Sequence, residues 1–378
     1  MVTKKGPLEI ARELVRIESM NPPGHENECA QYIGKLMQDA GLQVSFHEFA
    51  EGRTSVVARL EGRGAKAPIC FGGHIDTVPL GAQPWSMNPF AGEVSEGKLY
   101  GRGTTDMKAG VAAYLWAALR LARMERGKAD ILLVAVAGEE TGCQGSFHLA
   151  RNQVLGGAGA LVVAEPTSNY PMVGHRGALW LQAETTGVAA HGSMPHLGVN
   201  AIYKAAAAIG RLERFGFNMT PHPVLGAPTL NVGTMKGGMN LNSVPDRAEF
   251  TIDIRTIPDQ DHRALVSRLQ SYLGEEVRLS PVVDVPGVWT EVDDPWIRAV
   301  FDLVESVLGE KPQARGAPYF TDASALKTAF DGAPTVILGP GDMKLAHQTD
   351  EYCAVDKIEE AANIYEAVAR QWCEMRAG

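Results

Sequence analysis

Ile69-Cys70-Phe71-Gly72-Gly73-His74-Ile75-Asp76-Thr77-Val78-Pro79 is the stretch from which the rest of the chain can be read. Ile69 to Phe71 is a short apolar run of the kind that forms a buried strand. Gly72-Gly73 comes next, and two residues without a Cβ are expected to let the backbone turn there. His74 and Asp76 stand at i and i+2, so an extended segment sends both side chains off one face. A His with a carboxylate beside it, at the end of a buried strand, suits a metal ligand and its orienting partner. The carboxylate would take the second imidazole N–H and set the tautomer. A turn His hydrogen-bonded to Asp has the same signature, so the remaining chain has to decide.

At 378 residues the chain exceeds one comfortable core, which predicts two domains. Its 45% hydrophobic and 21% charged content is that of a globular protein. A net charge of -9, with no basic cluster to offset it, excludes nucleic acid as a partner. The five cysteines, Cys29, Cys70, Cys143, Cys353 and Cys373, are widely spaced and form no C-x-x-C. Neither a disulfide framework nor a zinc finger is indicated, and reduced thiols fit a cytoplasmic location. Met1 to Pro7 leads into a charged amphipathic stretch rather than an apolar signal core. No apolar run approaches the ~20 residues a membrane span needs, so no membrane partner is expected.

Apolar periodicity predicts helices over 8–18 and 26–40, then strands over 42–46 and 54–60. A loop rich in Pro, Gly and Trp spans 79–98. Gly101-Arg102-Gly103-Thr104-Thr105-Asp106-Met107-Lys108 has the glycines of a phosphate loop but fits neither the dinucleotide nor the Walker pattern. A long helix over 107–124 follows. Residues 130–137, Asp130 followed by a continuous apolar run, are typical of a strand covered on both faces and end in Gly138-Glu139-Glu140. A helix over 144–152 leads to a second such run, Ala160 to Ala164, ending in Glu165-Pro166. Strands alternating with helices, with polar residues at the strand ends, predict an α/β sheet whose site lies at those ends. From about 177 to 286 the texture changes to β-α-β-β-α-β, a split βαβ sandwich inserted between two halves of the α/β domain. The domains are therefore expected at 1–176 with 287–378, and at 177–286. A helix over 294–308, a short strand from Thr335 to Leu338 and a helix over 356–375 close the chain.

His74, Asp106, Glu140, Glu165 and His347 all fall at ends of elements in the first domain, with Asp76 and Glu139 beside them. Desolvated carboxylates are costly without partners. Several carboxylates and two imidazoles in one cluster repel one another unless cations sit inside. Two divalent ions about 3.5–4 Å apart, with one carboxylate bridging, would resolve the repulsion.

Gly73-His74-Ile75-Asp76-Thr77-Val78-Pro79, Gly101 to Lys108, Gly138-Glu139-Glu140 and Ala346-His347-Gln348-Thr349-Asp350-Glu351 together resemble the signatures of one family. It is the co-catalytic di-zinc family of acetylornithine deacetylase, succinyl-diaminopimelate desuccinylase, aminoacylase and glutamate carboxypeptidase. The resemblance covers essentially the whole chain. It implies an α/β catalytic domain with a mostly parallel central sheet, of di-zinc exopeptidase type, and a ferredoxin-like α+β lid and dimerisation domain. It also implies a homodimer. His74 and Glu165 would hold one zinc, Glu140 and His347 the other, and Asp106 would bridge them through a cis Asp106–Met107 peptide. Asp76 would orient His74, and Glu139 would be the general base. His191 would stabilise the oxyanion from the partner subunit, while Arg255, with Asn242 nearby, would bind a substrate carboxylate. His and carboxylate ligands suit zinc, and cobalt or manganese could substitute.

The activity so implied is hydrolysis of an amide beside a free carboxylate, in an N-acyl amino acid or small peptide. N-carbamoyl-amino-acid hydrolysis is the rival within hydrolases, and a non-catalytic metal- or peptide-binding dimer the rival outside them. His191 competes with a helix-capping role, and Arg255 with a surface ion pair. Asp322 falls in a segment that lines the substrate pocket in the family, with no role assigned. His47, His148, His175, His196, His222 and His262 lack ligand spacing and are expected to be surface or internally satisfied residues.

Overall fold

The computed structural model describes residues 5–375, so Met1 to Lys4, part of the amino-terminal reading above, lie outside the described residues. Two units make up the chain. One takes residues up to Gly174, Trp289–Ala317 and residues from Thr321 onward; the other takes His175–Val288 and Pro318–Phe320.

The first unit begins with α1 (Pro7–Arg16), α2 (Asn27–Asp39), β1 (Gln43–Ala50), β2 (Arg53–Leu60) and β3 (Lys66–His74). It continues with β4 (Glu93–Ser95), β5 (Lys98–Tyr100), α3 (Ala109–Leu121), β6 (Ala129–Val136), α4 (Gln144–Arg151) and β7 (Ala160–Val163). Helices Pro295–Leu308, Ala323–Ala329 and Val355–Cys373, with strands Thr335–Ile337 and Tyr352–Ala354, complete it. The central sheet runs β1-β2-β6-β3-β7 and then Thr335–Ile337. From β6 outward to Thr335–Ile337 every neighbour is parallel, and only β1 and β2 are antiparallel additions. Helices cover both faces of the parallel strands, which is why β7, and β6 beyond Asp130, are apolar rather than alternating. In register, His74 lies opposite Val136 and Gly72 opposite Val163. The carboxyl ends of β3, β6 and β7 therefore coincide, at the edge where open α/β sheets place their ligands.

Gly72 and Gly73 do not turn. Both lie inside β3, and their missing side chains leave room for neighbours. A Cβ on Gly73 would stand 2.4 Å from Met107 Cε, and one on Gly72 would stand 2.8 Å from Leu326 Cδ1. The long helix also starts later than its sequence pattern suggests. Thr104–Lys108 forms a wide turn with non-helical Asp106 and Met107, and α3 proper begins at Ala109. The 79–98 loop contains β4, a three-residue strand too short to carry a period.

Arg102 and Glu351, each 1% exposed, form an ion pair at 2.5 Å. Glu351 also accepts backbone N–H groups of Gly103 at 3.0 Å, Thr105 at 2.8 Å and Asp106 at 3.1 Å. Arg102 in turn donates to the carbonyls of Gln348 and Pro79. One buried charge pair thus joins the three loops that carry His74, Asp106 and His347. Breaking such a pair from one side leaves an uncompensated buried charge. Arg102→Met is accordingly expected to lower unfolding free energy by about 3–5 kcal/mol. Urea titration checks it, and a loss below about 1 kcal/mol would place the pair among surface bridges.

The second unit has an antiparallel sheet ordered Thr229–Gly237, Arg247–Thr256, Gly177–Thr186, Val277–Val285. Helices Ala201–Leu212 and His262–Leu273 pack on one face, where Leu179, Leu181, Phe250, Ile252, Leu265 and Leu269 are buried. Asn200 and Asp261 cap these helices through side-chain oxygens. The order of long elements is β-α-β-β-α-β. Pro318–Phe320 joins this unit although sequence patterning places it with the other, because the Phe320 ring packs edge-on against Trp180 at 6.0 Å. Among the described residues, no helix is long and apolar enough to cross a membrane. The five cysteines are free and buried.

Candidate metal centre

His74 ends β3, Glu140 follows the Gly138 turn after β6, and Glu165 lies just beyond β7. Asp106 comes from the wide turn before α3, and its peptide bond to Met107 is cis. His347 arrives on a loop at φ 62°, in the left-handed region that few residues other than glycine adopt. Holding it there costs about 1–3 kcal/mol, the kind of strain that gathers at functional sites.

These five residues converge. His74 Nε2 is 3.0 Å from Asp106 Oδ1 and 4.0 Å from Glu165 Oε1. His347 Nε2 is 3.3 Å from Asp106 Oδ2 and 3.2 Å from Glu140 Oε1. Each oxygen of Asp106 therefore faces a different imidazole. One atom each of His74, Asp106 and Glu140 lies within 4.8 Å of the others, close enough to share an ion.

Burial and charge oppose one another throughout the cluster. Burial pushes the carboxyls of Glu139, Glu140 and Glu165 above the usual range, reinforced at Glu139 by Glu165 and Glu140 and at the other two by Asp106. Hydrogen bonds to Asp106 and then Glu140 pull His347 up to about 10. Burial works against charge on His74, yet its bonds to Asp106 and the nearby Asp76 carry it well above its ordinary value. Burial likewise opposes Asp106, which the two imidazoles nonetheless hold below the usual range. Glu165 Oε1 is buried without a hydrogen-bond partner. An orphaned carboxylate oxygen in an all-oxygen-and-imidazole donor set fits a divalent cation.

Asp76 meets both His74 and the turn after β6. His74 Nδ1 bonds the backbone carbonyl of Asp76 at 2.9 Å, while the carboxylate stays 3.5 Å away. That carboxylate also accepts the backbone N–H of Glu139 at 3.1 Å, that of Glu140 at 3.2 Å and Asn21 Nδ2 at 2.8 Å. Asp76 thus holds the turn from which the two glutamates diverge. Glu140 reaches His347, whereas Glu139, 5% exposed, has the Cys143 thiol 3.9 Å from Oε1.

The sequence profile of peptidase family M20/M25/M40 matches residues 70–371, four-fifths of the chain and every residue of this cluster. The chain belongs to that family. A probable succinyl-diaminopimelate desuccinylase from Staphylococcus epidermidis is 28% identical over 411 aligned positions, covering 99% of each chain. An acetylornithine deacetylase from Vibrio parahaemolyticus is 29% identical, covering 97% of this chain and 98% of the relative. An M20 family metallo-carboxypeptidase from Sulfolobus solfataricus shares the fold, with a TM-score of 0.81 at 18% identity, covering 98% of this chain and all of that one. This M20 chain is a hydrolytic enzyme, an amidohydrolase.

His191, Asn242 and Arg255 belong to the second unit. His191 and Asn242 are neighbours, since Gly192 N donates to Asn242 O at 2.7 Å and His191 pairs with Ser243. His191 does not cap the following helix; Asn200 does. Arg255 Nε contacts Asp253 at 3.0 Å, and its guanidinium lies over Trp180 at 5.8 Å. Among the described residues the other histidines give no second cluster of possible ligands. His262, for example, is held between Thr256 and Asp284.

Sequence reading missed Asn21, Arg102, Lys108 and Glu351 as supports for the M20 site. Lys108 is 1% exposed and donates to the carbonyls of Leu14 and Ile17, tying the turn to the end of α1. Asp322, left without a role above, is fully buried with Oδ1 on the Ser146 hydroxyl at 2.6 Å, and burial pushes it up to about 6. Spacing could not reveal these residues, because nothing in a pattern marks a buried charge.

Proposed function

We propose that this M20 hydrolase cleaves the amide of an N-acyl amino acid or short peptide bearing a free carboxylate, with two divalent cations, zinc by preference. The observation that carries this reading is Asp106, whose two oxygens face His74 and His347 separately. His74 and Glu165 would hold one ion, His347 and Glu140 the other, with Asp106 shared. The ions would supply a water of pKa near 7 and polarise the amide carbonyl. Glu139, one residue from a ligand and turned away from His347, takes the proton of the attacking water and returns it to the departing nitrogen.

His191 is proposed as the oxyanion donor, delivered across a homodimer. Its Nδ1 lies 2.7 Å from Ser193 Oγ and accepts the Ser193 backbone N–H at 3.2 Å, so Nε2 is the ring nitrogen left for a substrate oxygen. Arg255 and Asn242 are proposed to take the substrate carboxylate, with Arg255 exchanging Asp253 for a bidentate partner. The names of the desuccinylase and deacetylase relatives support an acylated amino acid as substrate.

Metal-reconstituted protein assayed on N-acetyl, N-succinyl and N-carbamoyl amino acids and dipeptides, side by side, tests the reading. Hydrolysis of one acyl class should fall to background with a chelator and return with Zn²⁺. Turnover indifferent to chelation would overturn the metal mechanism. Absence of hydrolysis across the panel would favour a binding role, and preference for the carbamoyl compounds would replace the acyl class.

A further inference from the structure

We propose that Asn21 is a positioning residue that, through Asp76, sets the turn from which Glu139 and Glu140 point to different partners. The idea rests on the functional reading above for the roles of those glutamates, though not for the geometry. Asn21 is 3% exposed, and its Nδ2 lies 2.8 Å from Asp76 Oδ2 and 3.0 Å from Thr141 Oγ1. A carboxylate only accepts, so the nitrogen face of the amide must be the one turned toward it. Asp76 Oδ2 is also the acceptor for Glu140 N–H, and Thr141 is the next residue along. The single amide group of Asn21 thus grips the turn twice, once through Asp76 and once directly.

The segment that presents Asn21 is itself pinned to the end of β3. Asn21 N donates to Thr77 O at 2.8 Å, Thr77 N to Ser19 O at 3.0 Å, and Ser19 Oγ to Ile75 O at 2.6 Å. Asn21 therefore reports the position of the His74–Asp76 segment to the Glu139–Glu140 turn. A carboxylate fixed on both oxygens keeps both backbone N–H groups in one orientation. If Asn21 is lost, Oδ2 keeps only the Glu140 N–H, so the carboxylate and the turn it holds lose their tie to the segment after α1 and move more freely against it.

The test compares wild type with Asn21→Ala and Asn21→Asp. The aspartate variant keeps the shape but sets acceptor against acceptor, so a role in mere packing predicts that it is the milder change. Positioning predicts the reverse order. In metal-free protein, amide hydrogen exchange of the peptide covering residues 138–142 should speed about three- to tenfold in Asn21→Ala, and more in Asn21→Asp, with β6 unchanged. In reconstituted enzyme, kcat should fall about 10–100-fold with KM within about twofold. Unchanged exchange in that peptide, or Asn21→Asp behaving better than Asn21→Ala, overturns the proposal. So does exchange rising uniformly through the first unit, which would make Asn21 a general stabiliser. If wild type neither binds Zn²⁺ nor hydrolyses the substrate panel, the functional reading fails instead, and the exchange comparison still decides the role of Asn21.

Discussion

Glu139→Gln is expected to lower kcat by roughly 10²–10⁴-fold while leaving the metal content of the protein unchanged. The amide keeps the size of the side chain and its place in the turn, because Asp76 grips the backbone N–H of residue 139 and not its side chain. What disappears is the ability to accept a proton and pass it on. Burial already holds the Glu139 carboxyl well above its ordinary range, with Glu165 and Glu140 adding to the effect and His74 opposing it. A base in that position needs nearby positive charge to work at neutral pH. Metal analysis of the variant alongside single-turnover kinetics separates the two properties. Wild-type turnover with glutamine at 139 would remove it as the base, and loss of metal would make it a ligand.

Asp106→Ala should do the opposite, costing metal first and activity as a consequence. Asp106 is within hydrogen-bonding reach of both imidazoles, 3.0 Å from His74 and 3.3 Å from His347. Its removal would withdraw the proposed shared ligand from both sides at once. Affinity for Zn²⁺ is expected to fall by more than the ~10–100-fold typical of losing an outer-shell partner. Hydrolysis should drop to background at any metal level the protein tolerates. Isothermal titration of metal-free protein measures the first and a standard assay the second. Two tightly held equivalents in Asp106→Ala would end the shared-ligand assignment.

The cluster was legible because strand-end chemistry is a local signal. The apolar runs before His74, Glu140 and Glu165 announce buried parallel strands, and those strands end together by register. The long elements of both units follow from their periods in the same way. Short elements do not. Ala323–Ala329 has seven residues, and β4 and β5 have three each, so neither a helical nor a strand period can be counted. The parts played by Gly73 and Asp76 were hidden for a different reason. A glycine that admits Met107 and a carboxylate that binds backbone N–H groups act on residues at least thirty positions away, which no window of sequence contains. The Arg102–Glu351 pair is equally nonlocal, and its importance comes from burial alone.

The two imidazoles differ in their access to solvent, His74 being 1% exposed and His347 52%. An ion on the His347 side would trade with bulk solution far faster than one sealed behind Glu165. Dialysis would then strip such a pair in sequence and leave a half-loaded species during ordinary purification. Specific activity measured straight from a column would report handling history before it reported the enzyme.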